Sequence, residues 1–332
     1  MSSLSDLIAR KSSSAPLEEG SVPAPGGASS PVSLLAEEPS SSGAQEPYGV
    51  SQVITPKGIG IYYQAGPKRL YRICLEVDQK PEVWVDVPAM SDILSILDKP
   101  GLPWWGMKVG VQGVASLWSM VKEGSVDEVN LLRSLAEQDV EQIIALLTKH
   151  RLTVNHVRDQ AGDRGQDIHD ALELWASKGI VPNPAVFGPE NAGYVKGLKR
   201  FVIDSAAEPV VSEVMVASAT LGFAGRFDLG AKIPDGARVV TKSHPKKKSV
   251  VEAVPGGTWL LDLKSSKGVY SSHHLQLAGY NLASDESYGV RYDHTGIIHV
   301  FPDGRYELVQ GKARDEHFRT IKQAFDVMRE IK

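Results

Sequence analysis

The sequence predicts a mixed α/β fold, with a central mixed sheet flanked by helices. Segments rich in β-branched and aromatic residues come first, at 48–87, and apolar residues at helical spacing dominate from 90 to 179. From Glu208 to the C-terminus, strand-type and helix-type segments both occur. Because strands and helices do not alternate regularly, the pattern fits either an α+β arrangement or a mixed α/β sheet.

The N-terminal segment 1–47 differs in composition from the rest of the chain. Residues 12–47 are mostly Ser, Ala, Pro, Gly and Glu and include no aromatic residue. Such a segment cannot bury enough apolar surface to offset its ordering entropy, so we expect a disordered tail. The first eleven residues, with Leu4, Leu7 and Ile8, are long enough for a short amphipathic docking peptide.

The region 48–160 reads as a β-rich part followed by a helical part, which we expect to pack on the core. Its strand segments, separated by Gly, Pro and Asp-Gln-Lys turns, are IGIYYQAG, RLYRICLEV and PEVWVDV. The helical spacing that follows starts in SDILSIL and continues through VQGVASLWSMVKEG, VDEVNLLRSLAEQ and VEQIIALLTKH. Asp92, Ser125 and Asp163 are candidate N-caps.

The region 161–332 is the predicted core with a C-terminal helix. It opens with the helical segment DIHDALELWASKG, and its strand segments are VVSEVMVAS, TLGFAGRFDLGAKI and GTWLLDLKSS. A helix SSHHLQLAGYNLASD follows, then a hairpin that turns at Pro302-Asp303-Gly304, and a closing helix DEHFRTIKQAFDVMREIK.

Composition and charge exclude several classes of protein. Lys and Arg number 36 against 40 Asp and Glu, for a net charge of −4, which excludes a histone-like polycation but not a local basic groove. No apolar run approaches the roughly 20 residues that cross a bilayer, and no secretory leader is visible. Cys74 is the only cysteine, so an internal disulfide, a cysteine zinc site and a four-cysteine iron–sulfur cluster are all excluded. We therefore expect a cytoplasmic protein.

Acidic and basic residues occur inside two strongly apolar strands. Asp262 and Lys264 are two residues apart, so on a strand they share a face. Asp228 lies in the preceding apolar strand, among Phe227 and Leu229. Burying such groups is costly without a purpose. If the two strands are neighbours, two carboxylates and one ammonium group converge.

This constellation suits a hard divalent cation. Mg²⁺ and Mn²⁺ prefer carboxylate and carbonyl oxygens, which Asp228, Asp262 and the Leu263 carbonyl would supply to one ion or a pair. Such an ion lowers the pKa of water and neutralises a phosphodiester, while Lys264 orients the nucleophile or stabilises the anionic transition state. Taken singly, Asp-x-Lys is typical of an exposed surface pair, and an Asp after Gly-Arg-Phe of a turn.

The order and spacing of these motifs resemble the PD-(D/E)XK nuclease superfamily, in its RecB-like branch of phage exonucleases and CRISPR-associated nucleases. That branch combines a Gly-x-x-Asp strand end, an (Asp/Glu)-x-Lys strand and a helix with Gln-x-x-x-Tyr, which are here GRFD, DLK and QLAGY. An upstream helix with His matches DRGQDIHDALE, so the resemblance covers about 163–280. Several relatives carry four cysteines around an iron–sulfur cluster; this chain departs from them and resembles the cluster-free members.

The resemblance implies a role for each matched residue. Lys264 would be the catalytic amine, with Asp262 and Asp228 as catalytic carboxylates. The implied metal ligands are His169, Asp228, Asp262 and the Leu263 carbonyl, with Glu213 as a further candidate. The implied supporting or DNA-contacting residues are Gln276, Tyr280, Glu173, Lys267 and Arg226. Ordinary alternatives stay open: a helical His169–Glu173 pair, a solvent-facing Glu213, and helix packing for Gln276 and Tyr280.

The implied function is a divalent-metal-dependent DNA exonuclease, active in phage DNA recombination, replication or processing within the cytoplasm of a bacterial host. The tail would tether a recombination or single-strand-binding protein, and the oligomeric state is left open. Two alternatives are a structure-specific endonuclease with the same site and an inactive DNA-binding module. A basic stretch between the two metal-binding strands either attracts phosphate or is a solvated hairpin tip; it comprises Arg238, Lys242 and Lys246–Lys248.

Overall fold

The computed structural model describes residues 49–66, 69–77, 80–81, 84–97, 99, 101–124, 126–137 and 139–331. The expected tail at 1–47 and the candidate N-cap Ser125 lie outside the described residues. The chain divides into two compact units: described residues before 97 group with 171–331, and 97–170 form the second unit. The sequence suggested a boundary near 160 instead.

The first unit opens with a small antiparallel sheet in the order β1-β2-β3-β4, with β5 paired to β3. Its strands are β1 Val50–Ile54, β2 Ile59–Gln64, β3 Leu70–Val77, β4 Lys80–Pro81 and β5 Val85–Val87. Alternating residues such as Ile59, Ile61 and Ile73 bury one face, where they meet Ala217 and Ala224 of the second sheet. A short helix, α1 Met90–Leu94, follows.

The central sheet has the order β12-β11-β10-β7-β6. Strand β10 runs parallel to β11 and antiparallel to β7, so the sheet is mixed. Its strands are β6 Glu208–Ser218, β7 Phe223–Ile233, β10 Gly257–Lys264, β11 His294–Val300 and β12 Tyr306–Gln310, and a separate two-stranded ribbon comprises β8 Arg238–Lys242 and β9 Val250–Ala253. The predicted mixed α/β fold is confirmed.

Three further helices belong to this unit: α6 Pro189–Ser205, α7 Ser271–Tyr288 and α8 Asp315–Glu330. The sequence predicted α7 and α8 but missed α6, whose glycines weaken the helical signal. The fold needs both glycines, since a Cβ at Gly193 would meet the carbonyl oxygen of Pro302 and one at Gly197 that of Arg305. These two positions of α6 therefore require glycine for the close approach of the β11–β12 turn, although glycine has a low helix propensity.

The second unit is helical. Helices α2 Gly101–Lys122, α3 Glu128–Ala136 and α4 Val140–Lys149 lie within it, and α5 Val154–Lys178 begins there. Leu117, Leu131 and Leu147 belong to its buried core. Among the helices that the structure describes, none is both long enough and apolar enough to span a bilayer.

Two predicted N-caps are wrong. Asp163 lies inside α5, because that helix starts nine residues earlier, at Val154. Asp92 is the third residue of α1 rather than its cap, although its carboxylate does accept a hydrogen bond from the Ala89 amide at 3.1 Å. In both cases an acidic residue inside the helix resembled a helix start in composition alone.

Candidate metal centre

Three acidic residues occupy one row across the strands β10, β7 and β6. The pairing of β10 with β7 ends at Leu261 and Leu229, so Asp262 and Asp228 are the next position of that register. On the other side of β7, Glu213 lies between the paired residues Ser212 and Val214, opposite Asp228. Residues directly opposite each other on antiparallel strands share a face, so the fold gathers these carboxylates.

Asp228 is oriented by the neighbouring strand. Its side chain is 8% exposed, and its Oδ2 accepts a hydrogen bond from the backbone N–H of Leu263 at 2.7 Å. Regular β7–β10 pairing ends at Leu261, and the Leu263 amide is instead bonded to the Asp228 carboxylate. A hydrogen bond from a backbone amide to an ionised carboxylate is strong, so it fixes the orientation of the Asp228 side chain.

Asp262 is the most deeply buried acid of this row, at 1% exposure. The Lys264 ammonium lies 2.6 Å from its Oδ2, as expected for residues two apart on one face of a strand. Apart from this ammonium group, no hydrogen-bond donor among the described residues contacts either buried oxygen of Asp262. The only favourable partner described for Asp262 is therefore the ammonium group of the ion pair.

The protonation equilibria of this pair reflect burial and mutual charge. Burial raises the pKa of Asp262, the Lys264 ammonium opposes that rise, and the negative charge of Asp228 adds to it. Burial alone lowers the pKa of Lys264, but the carboxylates of Asp262, Asp228 and Glu213 outweigh it, so the pKa of Lys264 is raised. The amine therefore stays protonated beside the acids.

Glu213 has an unusual backbone. Its φ is 50°, in the left-handed region that a non-glycine residue seldom adopts within a strand. A carboxylate oxygen of Glu213 lies within 4.8 Å of one of Asp228. Strained residues of this kind concentrate at functional sites, where the surrounding structure holds them in place. The alternative of a solvent-facing Glu213 does not describe this side chain, which is only 24% exposed.

Arg226 balances part of this negative charge. Its Nε lies 3.0 Å from Glu213 Oε2, and its guanidinium lies over the ring of Tyr63, 5.7 Å from the centroid. The Arg226 side chain stays 45% exposed. It is thus a solvent-accessible cation at the edge of the acidic row.

The donor set fits a hard divalent cation. Asp228 and Glu213 place carboxylate oxygens within 4.8 Å of each other, a spacing that one such ion can bridge. Asp262 is next to Asp228 in the β7–β10 register, and its role as a metal ligand stays a prediction. Carboxylate oxygens are the ligands that hard divalent cations such as Mg²⁺ and Mn²⁺ prefer. The expected role of the Leu263 carbonyl stays a prediction.

Two predicted residues lie on α5. His169 is partly buried and falls in the part of the chain that groups with the second unit, whereas Glu173 is exposed and falls in the first. Their roles as metal ligand and supporting residue stay predictions.

Gln276 and Tyr280 lie one turn apart on α7. The Gln276 Nε2 donates to the Tyr280 hydroxyl at 3.4 Å, and Tyr280 is buried with its ring against Gly225 of β7. Burial raises the pKa of the Tyr280 hydroxyl. The burial of Tyr280 fits the alternative of helix packing better than contact with a phosphate or a base, since a buried ring presents no surface to a ligand.

Lys267 lies exposed in the loop 265–270, between β10 and α7. Two histidines near that loop were not among the predicted ligands or catalytic residues. His273, in the first turn of α7, accepts a hydrogen bond at Nδ1 from the Tyr270 amide, and burial together with Lys264 lowers its pKa to about 4. Its helical spacing resembles ordinary packing, so no sequence signal distinguishes it.

The second unpredicted histidine is His299 on β11, opposite Lys264 in the parallel register. Its Nε2 lies 2.7 Å from the Ser266 carbonyl oxygen and its Nδ1 lies 3.0 Å from Glu307 Oε1. It therefore connects the loop that follows Lys264 to strand β12. Only the parallel β10–β11 pairing, which links residues 35 positions apart, could have revealed it.

Comparison with known proteins gives no family. No family model matches the chain, and no curated protein matches it. Among solved structures, the crystal structure of SSO0001 is similar at 14% identity and a TM-score of 0.24, over 48% of this chain and 71% of that chain. Similarity at that level carries no argument about activity.

Proposed function

We propose that the chain is a divalent-metal-dependent deoxyribonuclease of the PD-(D/E)XK superfamily, in its RecB-like branch, and that it acts as an exonuclease. The observation that carries the proposal is the acidic row Asp262–Asp228–Glu213 with Lys264 beside it, at the point where β7 and β10 stop pairing. Motif order and spacing lead to the same residues. Phage DNA recombination, replication or processing in a bacterial cytoplasm is proposed from the resemblance alone.

Each residue of the row has a proposed task. Asp228, Asp262 and Glu213 would hold Mg²⁺ or Mn²⁺, with the Leu263 carbonyl and His169 assigned as further ligands from the resemblance. A bound ion of this type supplies a Lewis acid that neutralises charge on a phosphodiester. Lys264, kept protonated by the facing carboxylates, stabilises negative charge that develops on the phosphate.

The test is cleavage of end-labelled linear DNA in Mg²⁺ or Mn²⁺. Asp262→Asn and Lys264→Met should each lower the rate by at least about 100-fold, the size of effect for a lost electrostatic contact in a transition state. Asp285→Asn is the matched control, because Asp285 is an exposed acid on α7 whose ion-pair partner in the described part of the chain is Arg291. Equal rates for wild type and both site variants would refute the assignment.

A covalently closed DNA circle separates the exonuclease from the endonuclease alternative. An exonuclease needs an end and leaves the circle intact, whereas an endonuclease with the same site converts it to linear or nicked DNA. The inactive-module alternative predicts no specific Mn²⁺ uptake in a calorimetric titration. Uptake that Asp262→Asn abolishes would exclude it.

A further inference from the structure

Three consecutive lysines form an exposed loop at the end of the β8–β9 ribbon. Lys246, Lys247 and Lys248 lie between β8 and β9, and Lys242 at the end of β8 is also exposed. Among the residues that the structure describes, no carboxylate forms an ion pair with any of these four. The loop therefore presents concentrated positive charge on a chain of net charge −4.

The base of this lysine loop is held to the central sheet. The Glu307 Oε2 accepts a hydrogen bond from the Ser243 amide at 3.0 Å, and the Arg305 guanidinium donates to Ser243 Oγ at 2.9 Å. Deeper in the ribbon, the buried Tyr306 hydroxyl accepts from the Val240 amide at 3.1 Å. A solvated hairpin tip needs no such anchoring, so these contacts favour a defined position.

The same contacts lead to the acidic row. The second carboxylate oxygen of Glu307 lies 3.0 Å from His299, whose other ring nitrogen lies 2.7 Å from the Ser266 carbonyl oxygen. Ser266 follows Lys264 by two residues and precedes the exposed Lys267. Because β10 and β11 are parallel and β12 is antiparallel to β11, Lys264, His299 and Glu307 share one end of the sheet.

We infer that the lysine loop and Lys267 form a phosphate-binding surface for the DNA backbone outside the scissile position. This inference rests on the proposed nuclease function and deepens it. A strand that places one phosphate at the acidic row extends along this end of the sheet, where the only partners suited to free ammonium groups are its flanking phosphates. Specificity for base sequence is not expected, since such contacts carry no base information.

The test is the salt dependence of DNA binding in EDTA, which prevents metal-dependent hydrolysis. A fluorescein-labelled blunt duplex and its single strand are titrated with wild type and with the triple variant Lys246→Gln, Lys247→Gln, Lys248→Gln. Each lost phosphate contact should flatten the log–log salt slope by about 0.9 on duplex and about 0.7 on single strand. Raising the salt from about 50 to about 200 mM weakens duplex binding by wild type and by the variant. If three phosphate contacts are lost, the fold-decrease in affinity over this range should be about 40 times smaller for the variant than for wild type.

A matched control removes three positive charges elsewhere in the same unit, by Lys57→Gln, Arg319→Gln and Arg329→Gln, all exposed. It should keep the wild-type slope, and both variants should keep the wild-type thermal midpoint. An unchanged slope in the lysine variant, or an equal change in the control, would overturn the inference. A wild type that binds through the loop but cuts no DNA in Mn²⁺ would instead refute the nuclease proposal and leave the surface standing.

Discussion

Asp262 is an unusual residue for the interior of a sheet. It is 1% exposed, and among the described residues its carboxylate has no hydrogen-bond donor other than the ammonium group of Lys264, which is 21% exposed. Replacing buried ion pairs with apolar residues is often neutral or stabilising, so such a pair is weak evidence for stability. The pair adjoins Asp228 in the β7–β10 register, and this position supports the proposed metal centre.

The first prediction concerns the loss of the ammonium group. In EDTA, Lys264→Met should lower the free energy of unfolding by about 3 kcal/mol, because it leaves Asp262 buried without its cation. The double variant Asp262→Asn, Lys264→Met should recover part of that loss. Urea unfolding at neutral pH measures both.

Lys322→Met is the matched control for this experiment. Lys322 is also buried and ion-paired, but its partner Asp326 is 44% exposed and can be solvated after the substitution. Lys322→Met should therefore lower the free energy of unfolding by only about 0–1 kcal/mol, as expected for a surface ion pair. Equal costs for Lys264→Met and Lys322→Met would show that burial of the partner acid does not matter.

The second prediction is a pH dependence due to His273. Its pKa is lowered to about 4 in the fold, by burial and by Lys264, against 6.5 for the unperturbed side chain. Between these two pH values His273 is mostly protonated in the unfolded chain and mostly neutral in the folded chain. The free energy of unfolding therefore falls as the pH falls. The stabilisation is complete above the unfolded pKa and is lost progressively towards pH 4.

His273→Gln removes this titration and retains an acceptor for the Tyr270 amide. Urea unfolding at several pH values should show that, as the pH falls from 6.5 towards 4, the free energy of unfolding decreases less for the variant than for wild type. His317 is exposed and occupies the same position in the first turn of α8. The free energy of unfolding of His317→Gln should therefore show the same pH dependence as that of wild type. Parallel curves for wild type and His273→Gln would contradict the assignment.

At the scale of elements, helix α7 approaches β7 closely enough to require glycine. A Cβ at Gly225 would lie 2.6 Å from Tyr280 Cε1, so the strand and the helix leave no room for a methyl group. The small residue in GRFD therefore has a packing reason that is independent of any chemistry.

The third prediction follows from this contact. Gly225→Ala should destabilise the fold by about 1–3 kcal/mol through overpacking, as measured by thermal or urea unfolding. Gly165→Ala, in the middle of α5, is the opposite case, because a Cβ there meets nothing within 4 Å. It should stabilise by about 0.5–1 kcal/mol, the helix propensity difference.

Gly165 also tests the resemblance, which includes this residue in its upstream helical motif. A more stable Gly165→Ala variant with reduced cleavage would indicate that DNA approaches the helix backbone there. A more stable variant with unchanged cleavage would assign the glycine to no function. A Gly225→Ala variant as stable as wild type would contradict the packing argument.

At the scale of the whole molecule, the metal should contribute to folding stability. An ion that binds only the folded state stabilises it by about 2.7 kcal/mol at a concentration 100 times its Kd. Mn²⁺ should therefore raise the thermal midpoint of wild type relative to EDTA, as measured by scanning calorimetry. This fourth prediction needs no assumption about the substrate.

Asp262→Asn should abolish the Mn²⁺ effect, whereas Asp285→Asn should keep it. A midpoint that does not respond to Mn²⁺ in wild type would remove the metal centre from the proposal. A response that survives Asp262→Asn would place the ion elsewhere in the chain.

Much of the architecture could be predicted from local patterns. Strands β7 and β10 and helix α7 follow from apolar alternation and helical spacing, and the β11–β12 turn from Pro302-Asp303-Gly304. Helix α6 was missed because its glycines serve a distant turn, and the β8–β9 ribbon because its strands are short and its connection is rich in lysine. These features depend on partners that are far away in the sequence.

The sequence by itself determined which acids and which amine interrupt otherwise apolar strands, namely Asp228, Asp262 and Lys264. Only the tertiary structure decided that Glu213 joins their row with a left-handed backbone, that Asp262 is fully enclosed, and that His299 connects the lysine loop to the same sheet end. The physical reason is that strand register and burial arise between segments, whereas a periodic pattern describes each segment alone.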